Sequence, residues 1–219
     1  MRRTLILIVM AAILSMNYAM SQKPIQLWKN YFNLSYVIQK NTLNSVNDFN
    51  TKFGVAFTFG HTFYLNEQQT PGKLMFGIDL SWLDANYGYF SIKDSYEKYK
   101  EFYDKNDLSH HSDINVHMAE LGIHFGPSLT WAISDKFSSQ IYAHYEPSFA
   151  ALSAEGAFAA DYGSFFITGL NVSYNVLGFG FEKRWGSSKY KAIGKSKIKD
   201  FITDKIEFDT SRIFVQLRF

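Results

Sequence analysis

Phe53-Gly54-Val55-Ala56-Phe57-Thr58-Phe59-Gly60-His61-Thr62-Phe63-Tyr64-Leu65 is the stretch whose alternation decides the fold. Phe53, Val55, Phe57, Phe59 and Phe63 share one parity, while Gly54, Ala56, Thr58, Gly60 and Thr62 share the other. A period of two sends the sets to opposite faces of a strand. In a soluble sandwich the bulky face would pack a core and the opposite face would carry charge toward water. No charge stands on that second face between Gly54 and Thr62, which suits a narrow enclosed lumen and places the bulky face toward lipid.

The same pattern recurs along the chain. Phe32, Leu34, Tyr36 and Ile38 alternate with Tyr31, Asn33, Ser35, Val37 and Gln39; Leu74, Phe76, Ile78, Leu80 and Trp82 alternate with Met75, Gly77, Asp79, Ser81 and Leu83. Ala119, Leu121, Ile123 and Phe125 alternate with Met118, Glu120, Gly122, His124 and Gly126, and Leu177, Phe179 and Phe181 with Gly178, Gly180, Glu182 and Arg184. At the C-terminus Ile213, Val215, Leu217 and Phe219 alternate with Arg212, Phe214, Gln216 and Arg218. Segments 137–146 and 165–174 read as strands with less regular alternation, which brings the count to eight. Segments of about ten residues, bulky outward and polar inward, are the pattern of a transmembrane β-barrel. Because lipid offers no hydrogen bonds, the sheet must close on itself. The expected fold is therefore all-β, an eight-stranded antiparallel up-and-down transmembrane β-barrel.

Connections alternate in length: 40–52, 66–73, 85–116, 133–136, 147–164, Asn175-Val176 and 186–205. Long loops on the outer side and shorter turns on the periplasmic side are expected of an outer-membrane barrel. Pro127 cannot donate to a ladder and is expected at a rim or bulge. The four tryptophans fit an aromatic girdle: Trp28 and Trp131 at the periplasmic height, Trp82 and Trp185 at the outer one, all on the lipid-facing parity.

Arg2 and Arg3 precede an apolar run from Leu5 to Leu14, then Ser15, Asn17 and Ala19-Met20-Ser21. This is the layout of a secretory signal peptide over 1–21, leaving a barrel domain over 22–219 and an exported, outer-membrane protein. Its apolar core is half the length a spanning helix needs, about 20 residues. Of 22 basic residues it removes two and of 20 acidic residues none, so the mature chain has 20 of each. A formally neutral domain offers no basic footprint for nucleic acid. The absence of cysteine excludes disulfides, thiolate metal sites and a cysteine nucleophile.

These residues, above all Ile213, Val215 and Leu217 leading to the terminal Phe219, resemble the small outer-membrane β-barrels of the OmpA/OmpX-like class of Gram-negative bacteria. The resemblance implies that Ile213, Val215, Leu217 and Phe219 form the signal read by the barrel-assembly machinery. It names no substrate.

The inward parity collects Asp79, Glu120, His124, Gln140, His144, Glu146, Glu182, Arg184, Arg212, Gln216 and Arg218. In so narrow a barrel these groups are expected to pair with one another. His124, His144 and Glu146, on neighbouring strands, are the nearest approach to a catalytic or metal-binding set. His110 and Ser112 superficially resemble the His-x-Ser of barrel-type lipid A deacylases but carry no acid at a matching spacing, so no catalytic residue, cofactor or metal is assigned. Asp94 and Glu97, with Tyr96, Tyr99 and Tyr103, are spaced for a helical turn in the third connection. Lys189, Lys191, Lys195, Lys197, Lys199 and Lys205 in the last outer loop suit lipopolysaccharide phosphates. The 148–160 segment reads as an unusually apolar loop folding over the mouth, touching lipid or meeting a partner. The leading expectation is a porin-like, non-enzymatic envelope barrel whose loops meet lipopolysaccharide or an external partner. A lipid A-modifying enzyme and a solute or lipid conduit are the alternatives.

Overall fold

A computed structural model describes residues 27–43, 47–65, 72–92, 114–154, 157–193 and 205–219. The described elements are all strands: β1 (Asn30–Leu43), β2 (Asn47–Tyr64), β3 (Leu74–Ile92), β4 (Ile114–Ala132), β5 (Phe137–Ala154), β6 (Ala157–Tyr174), β7 (Leu177–Lys189), β8 (Lys191–Ile193) and β9 (Lys205–Arg218). Each pairs antiparallel with its neighbours, and β1 with β9 closes the ring. The three residues of β8 continue β7 against β6, so the barrel has eight walls. The signal peptide expected over 1–21, the turn expected at 94–103, His110, His111, Ser112, and Lys195, Lys197 and Lys199 lie outside the described residues.

One circuit of the hydrogen-bonded register gives the geometry. Asn30 pairs with His61, His61 with Leu80, Leu80 with Phe125, Phe125 with Tyr145, Tyr145 with Phe166, Phe166 with Trp185 and Trp185 with Asp209. Asp209 pairs back to β1 at Lys40, ten residues above Asn30. On eight strands about 4.8 Å apart and rising about 3.3 Å per residue, this stagger tilts the strands by about 40°.

The longest strands run to 18 or 19 residues. At that tilt they reach about 45 Å along the barrel axis, against an apolar band of about 25 Å. The barrel therefore stands well clear of the lipid on the outer side. β9 shows the boundary: Lys205, Glu207, Asp209 and Ser211 face outward on its first half, with Ile206 and Phe208 inward. After Ser211 the sense inverts, with Ile213, Val215, Leu217 and Phe219 outward and Arg212, Gln216 and Arg218 inward. On this part of β9 the outward face is polar and the inward face holds Ile206 and Phe208, as water outside requires.

This inversion corrects the expected loops. Much of 40–52, 85–116, 147–164 and 186–205 is strand. The apolar 148–160 segment is the β5–β6 hairpin, whose Ala150, Leu152, Ala154 and Ala159 fill the outer interior together with Phe90, Val116, Met118 and Phe208, although Phe149 and Phe158 stay exposed. Leu83 also departs from its expected inward position. The β2–β3 and β3–β4 registers shift around Trp82 and Leu83, so both face outward and the inward parity resumes at Asp84.

Pro127 is not at a rim. It faces outward opposite Ile78, and the β4–β5 ladder lacks pairs between Phe125 and Ser128 without changing register. Gly126, beside it, lies so close to β5 that a Cβ would come to 2.1 Å from the Ala143 carbonyl oxygen and 2.8 Å from the His144 Cα. Both are backbone atoms, so a side chain there must push strands apart. Gly126→Ala is expected to destabilise the barrel by about 1–3 kcal/mol, read from the urea midpoint of the folded band on unheated gels; an unchanged midpoint would disprove the close approach. At the β6–β7 turn, Asn175 adopts a φ of 54°, a left-handed conformation that asparagine tolerates better than most residues.

Candidate functional site

The lumen side chains form three connected levels. Alternation along each strand buries every second residue, and the barrel's stagger decides which of these meet. At the outer level Arg184 on β7 is fully buried. Its Nε and Nη2 donate to Oε2 and Oε1 of Glu146 on β5, both at 2.9 Å, and its Nη1 donates to Glu120 on β4 at 2.5 Å. The hydroxyl of Ser148 donates to Glu146 at 2.6 Å and the amide of Asn86 to Glu120 at 3.2 Å. The guanidinium carbon lies 3.3 Å from the centre of the Phe165 ring, adding a cation–π contact.

At the middle level Arg212 on β9 donates through Nη1 and Nη2 to both oxygens of Asp84 on β3, at 2.8 and 2.9 Å, and through Nη1 to Glu182 on β7 at 3.1 Å. Thr58 adds a hydroxyl to Asp84 at 2.9 Å, and Tyr142 one to Glu182 at 2.9 Å. Beneath them His124 and His144 meet through their Nδ1 atoms at 2.9 Å. His144 Nε2 lies 3.3 Å from Asp79, and His124 Nε2 lies 3.7 Å from Asp84.

At the periplasmic level amides take over. Asn171 donates to Gln216 at 2.8 Å and Gln216 to Asn33 at 2.9 Å. Arg218 donates to Gln216, Gln140, the Tyr64 hydroxyl and the Trp28 carbonyl, while Asp79 accepts from Ser128 and Gln140.

All eleven residues expected in the lumen are buried there. Glu146 does not join the two histidines: it is committed to Arg184, which leaves His124 and His144 with Asp79 and Asp84. Asp84 was missed because the bulge hides its parity. Two adjacent apolar residues, Trp82 and Leu83, followed by renewed alternation in Asp84, Asn86 and Gly88, are the signal that marks it. Among the described residues no group of three or more His, Asp or Glu is set to hold a metal ion.

Outside the lumen, Trp82 and Trp185 face outward, Trp131 is half-buried at the periplasmic end of β4, and Trp28 is half-buried just before β1. The backbone of the terminal Phe219 exchanges two hydrogen bonds with Asn30, each 3.0 Å, so the last residue seals the ring.

A charged, hydrogen-bonded interior inside a wall of exposed Leu, Ile, Phe and Trp inverts the arrangement of a water-soluble protein. The fold is that of a small outer-membrane β-barrel. No family model and no curated protein matches the sequence. Among solved structures, the chain is similar to Ail, the attachment invasion locus protein of Yersinia pestis, in complex with the heparin analogue sucrose octasulfate, with 10% identity over 89% of this chain and 100% of that one and a TM-score of 0.47. It is similar also to the outer membrane protease OmpT from Escherichia coli, with 7% identity, coverages of 92% and 99% and a TM-score of 0.47. For the outer membrane enzyme PagL the identity is 13%, the coverages are 85% and 99%, and the TM-score is 0.37.

Proposed function

We propose that this chain is a closed, non-enzymatic barrel of the outer membrane that acts through the part standing outside the lipid. The observation that carries the reading is the filled interior. Arg184 and Arg212 brace the lumen from wall to wall at two levels, and Phe90, Val116, Met118, Leu152 and Phe208 occupy the space above. A solute path would have to break buried ion pairs, whose separated charges cost several kcal/mol each. That disfavours the conduit.

The raised rim supplies the working surface. Lys189, Lys191, Lys205, Glu207 and Asp209 are exposed there. Lys191 reaches Asp161 at 2.9 Å, and this bond, with the Tyr162 amide, holds the Asp161 carboxyl below the usual carboxylate range. Lys189 and Lys191, continued in sequence by Lys195, Lys197 and Lys199, stand where lipopolysaccharide phosphates or an acidic external partner would meet them. In this reading Trp28, Trp82, Trp131 and Trp185 form the girdle, and Ile213, Val215, Leu217 and Phe219 are the segment presented to the assembly machinery.

Purified protein in planar bilayers is expected to give no discrete conductance steps, and lipid A from cells with and without the protein is expected to have the same acylation by mass spectrometry. Regular steps would restore the conduit, and altered acylation the enzyme.

A further inference from the structure

The histidine pair at the centre of the lumen stands between two buried carboxylates that two neutral rings do not complement. His124 and His144 share one Nδ1···Nδ1 contact at 2.9 Å, so one Nδ1 donates and the other accepts. Each Nε2 is turned to a carboxylate, His144 toward Asp79 at 3.3 Å and His124 toward Asp84 at 3.7 Å, and among the described residues neither nitrogen makes a hydrogen bond. The ring whose Nδ1 accepts carries its proton on Nε2 and turns that N–H toward its acid. If the other ring were neutral, its only proton would be on Nδ1, and a bare Nε2 lone pair would face a carboxylate across a buried gap. A third proton on the four ring nitrogens, one more than two neutral imidazoles hold, turns that repulsive approach into an attractive one.

We propose that His124 and His144 form a buried proton-binding site: an imidazolium and an imidazole sharing one excess proton between Asp79 and Asp84. Charge around the pair assigns the imidazolium to His144. Asp84, facing His124, is neutralised by both arms of Arg212. Asp79, facing His144, accepts hydrogen bonds from the neutral Ser128 and Gln140, and the Arg218 guanidinium acts on it without pairing with it directly. The Tyr142 ring stacks on His144 at 4.6 Å, leaving its hydroxyl to Glu182. Tyr31 and Arg218 lie on the Asp79 side, and Glu146 is held by Arg184 on the Asp84 side.

Lumen charge agrees. Among the described residues the buried acids Asp79, Asp84, Glu120, Glu146 and Glu182 face the buried Arg184, Arg212 and Arg218, five acids against three guanidinium groups. One proton on the histidines halves the deficit of two. A second would place N–H groups on both sides of the Nδ1 contact and break it. The site therefore takes one proton and resists another.

The test is nitrogen-15 NMR of the folded full-length protein, labelled at histidine, in detergent micelles at neutral pH, with the pair assigned by His124→Gln and His144→Gln. The expected result is three protonated-type nitrogens and one unprotonated, or an averaged signal for the two Nδ1 atoms. Asp79→Asn removes the acid without a directly paired arginine and is expected to return the pair to two protonated and two unprotonated nitrogens. Two neutral rings in the unmodified protein, two imidazolium rings, or an Asp79→Asn spectrum equal to wild type would each overturn the proposal.

Discussion

Arg184→Ala is expected to destabilise the barrel by about 3–5 kcal/mol, the largest effect of any single substitution proposed for this chain. The loss follows from what remains. Glu146 loses two hydrogen bonds and Glu120 one, and both carboxylates stay buried between β4 and β5 with only Ser148 and Asn86 to serve them. The cavity beside Phe165 adds to the cost. Urea unfolding in lipid vesicles, followed by the shift of the folded band on unheated gels, measures it. Adding Glu146→Gln to Arg184→Ala should recover part of the loss, because it removes one unpaired charge. If the double variant is no more stable than the single one, the lumen is not governed by charge pairing.

Leu34→Arg is the second large effect, about 2–4 kcal/mol, and it tests the wall rather than the lumen. Leu34 pairs with Phe57 and Val215, all three outward, in the middle of the apolar stretch of β1 and β9. A guanidinium there lies in hydrocarbon. Glu207→Arg, on the same outward face of β9 but beyond Ser211, should stay within about 0.5 kcal/mol, as substitutions on a wet surface do. The contrast, measured in the same vesicles, locates the boundary, and equal costs would place it elsewhere.

Much of this molecule was legible in its parity. Alternation along 53–65 and 213–219 marked strand, wall and lumen because side-chain direction in a strand depends only on position along it. The failures share one cause, a local break in that rule. At Trp82 and Leu83 one extra residue reverses the faces, which hid Asp84, the acid that anchors Arg212. Beyond the band the solvent outside changes from lipid to water, so the amphipathic sense inverts, and Ala150, Leu152 and Ala154 looked like an exposed apolar loop when they line the interior of a hairpin.

The sequence by itself determined that the chain forms alternating strands and, away from the bulge at Trp82 and Leu83 and below the outer rim, which side chains face lipid and which polar groups share the interior, because each is a property of the backbone within one strand. Only the tertiary structure decided who meets whom. Arg212 and Asp84 are 128 residues apart and Arg184 and Glu120 are 64 apart. Their contacts depend on the ten-residue stagger accumulated around the whole ring and on the bulge in β3. Height inside a closed barrel is a sum over every strand pairing, and no single strand carries it.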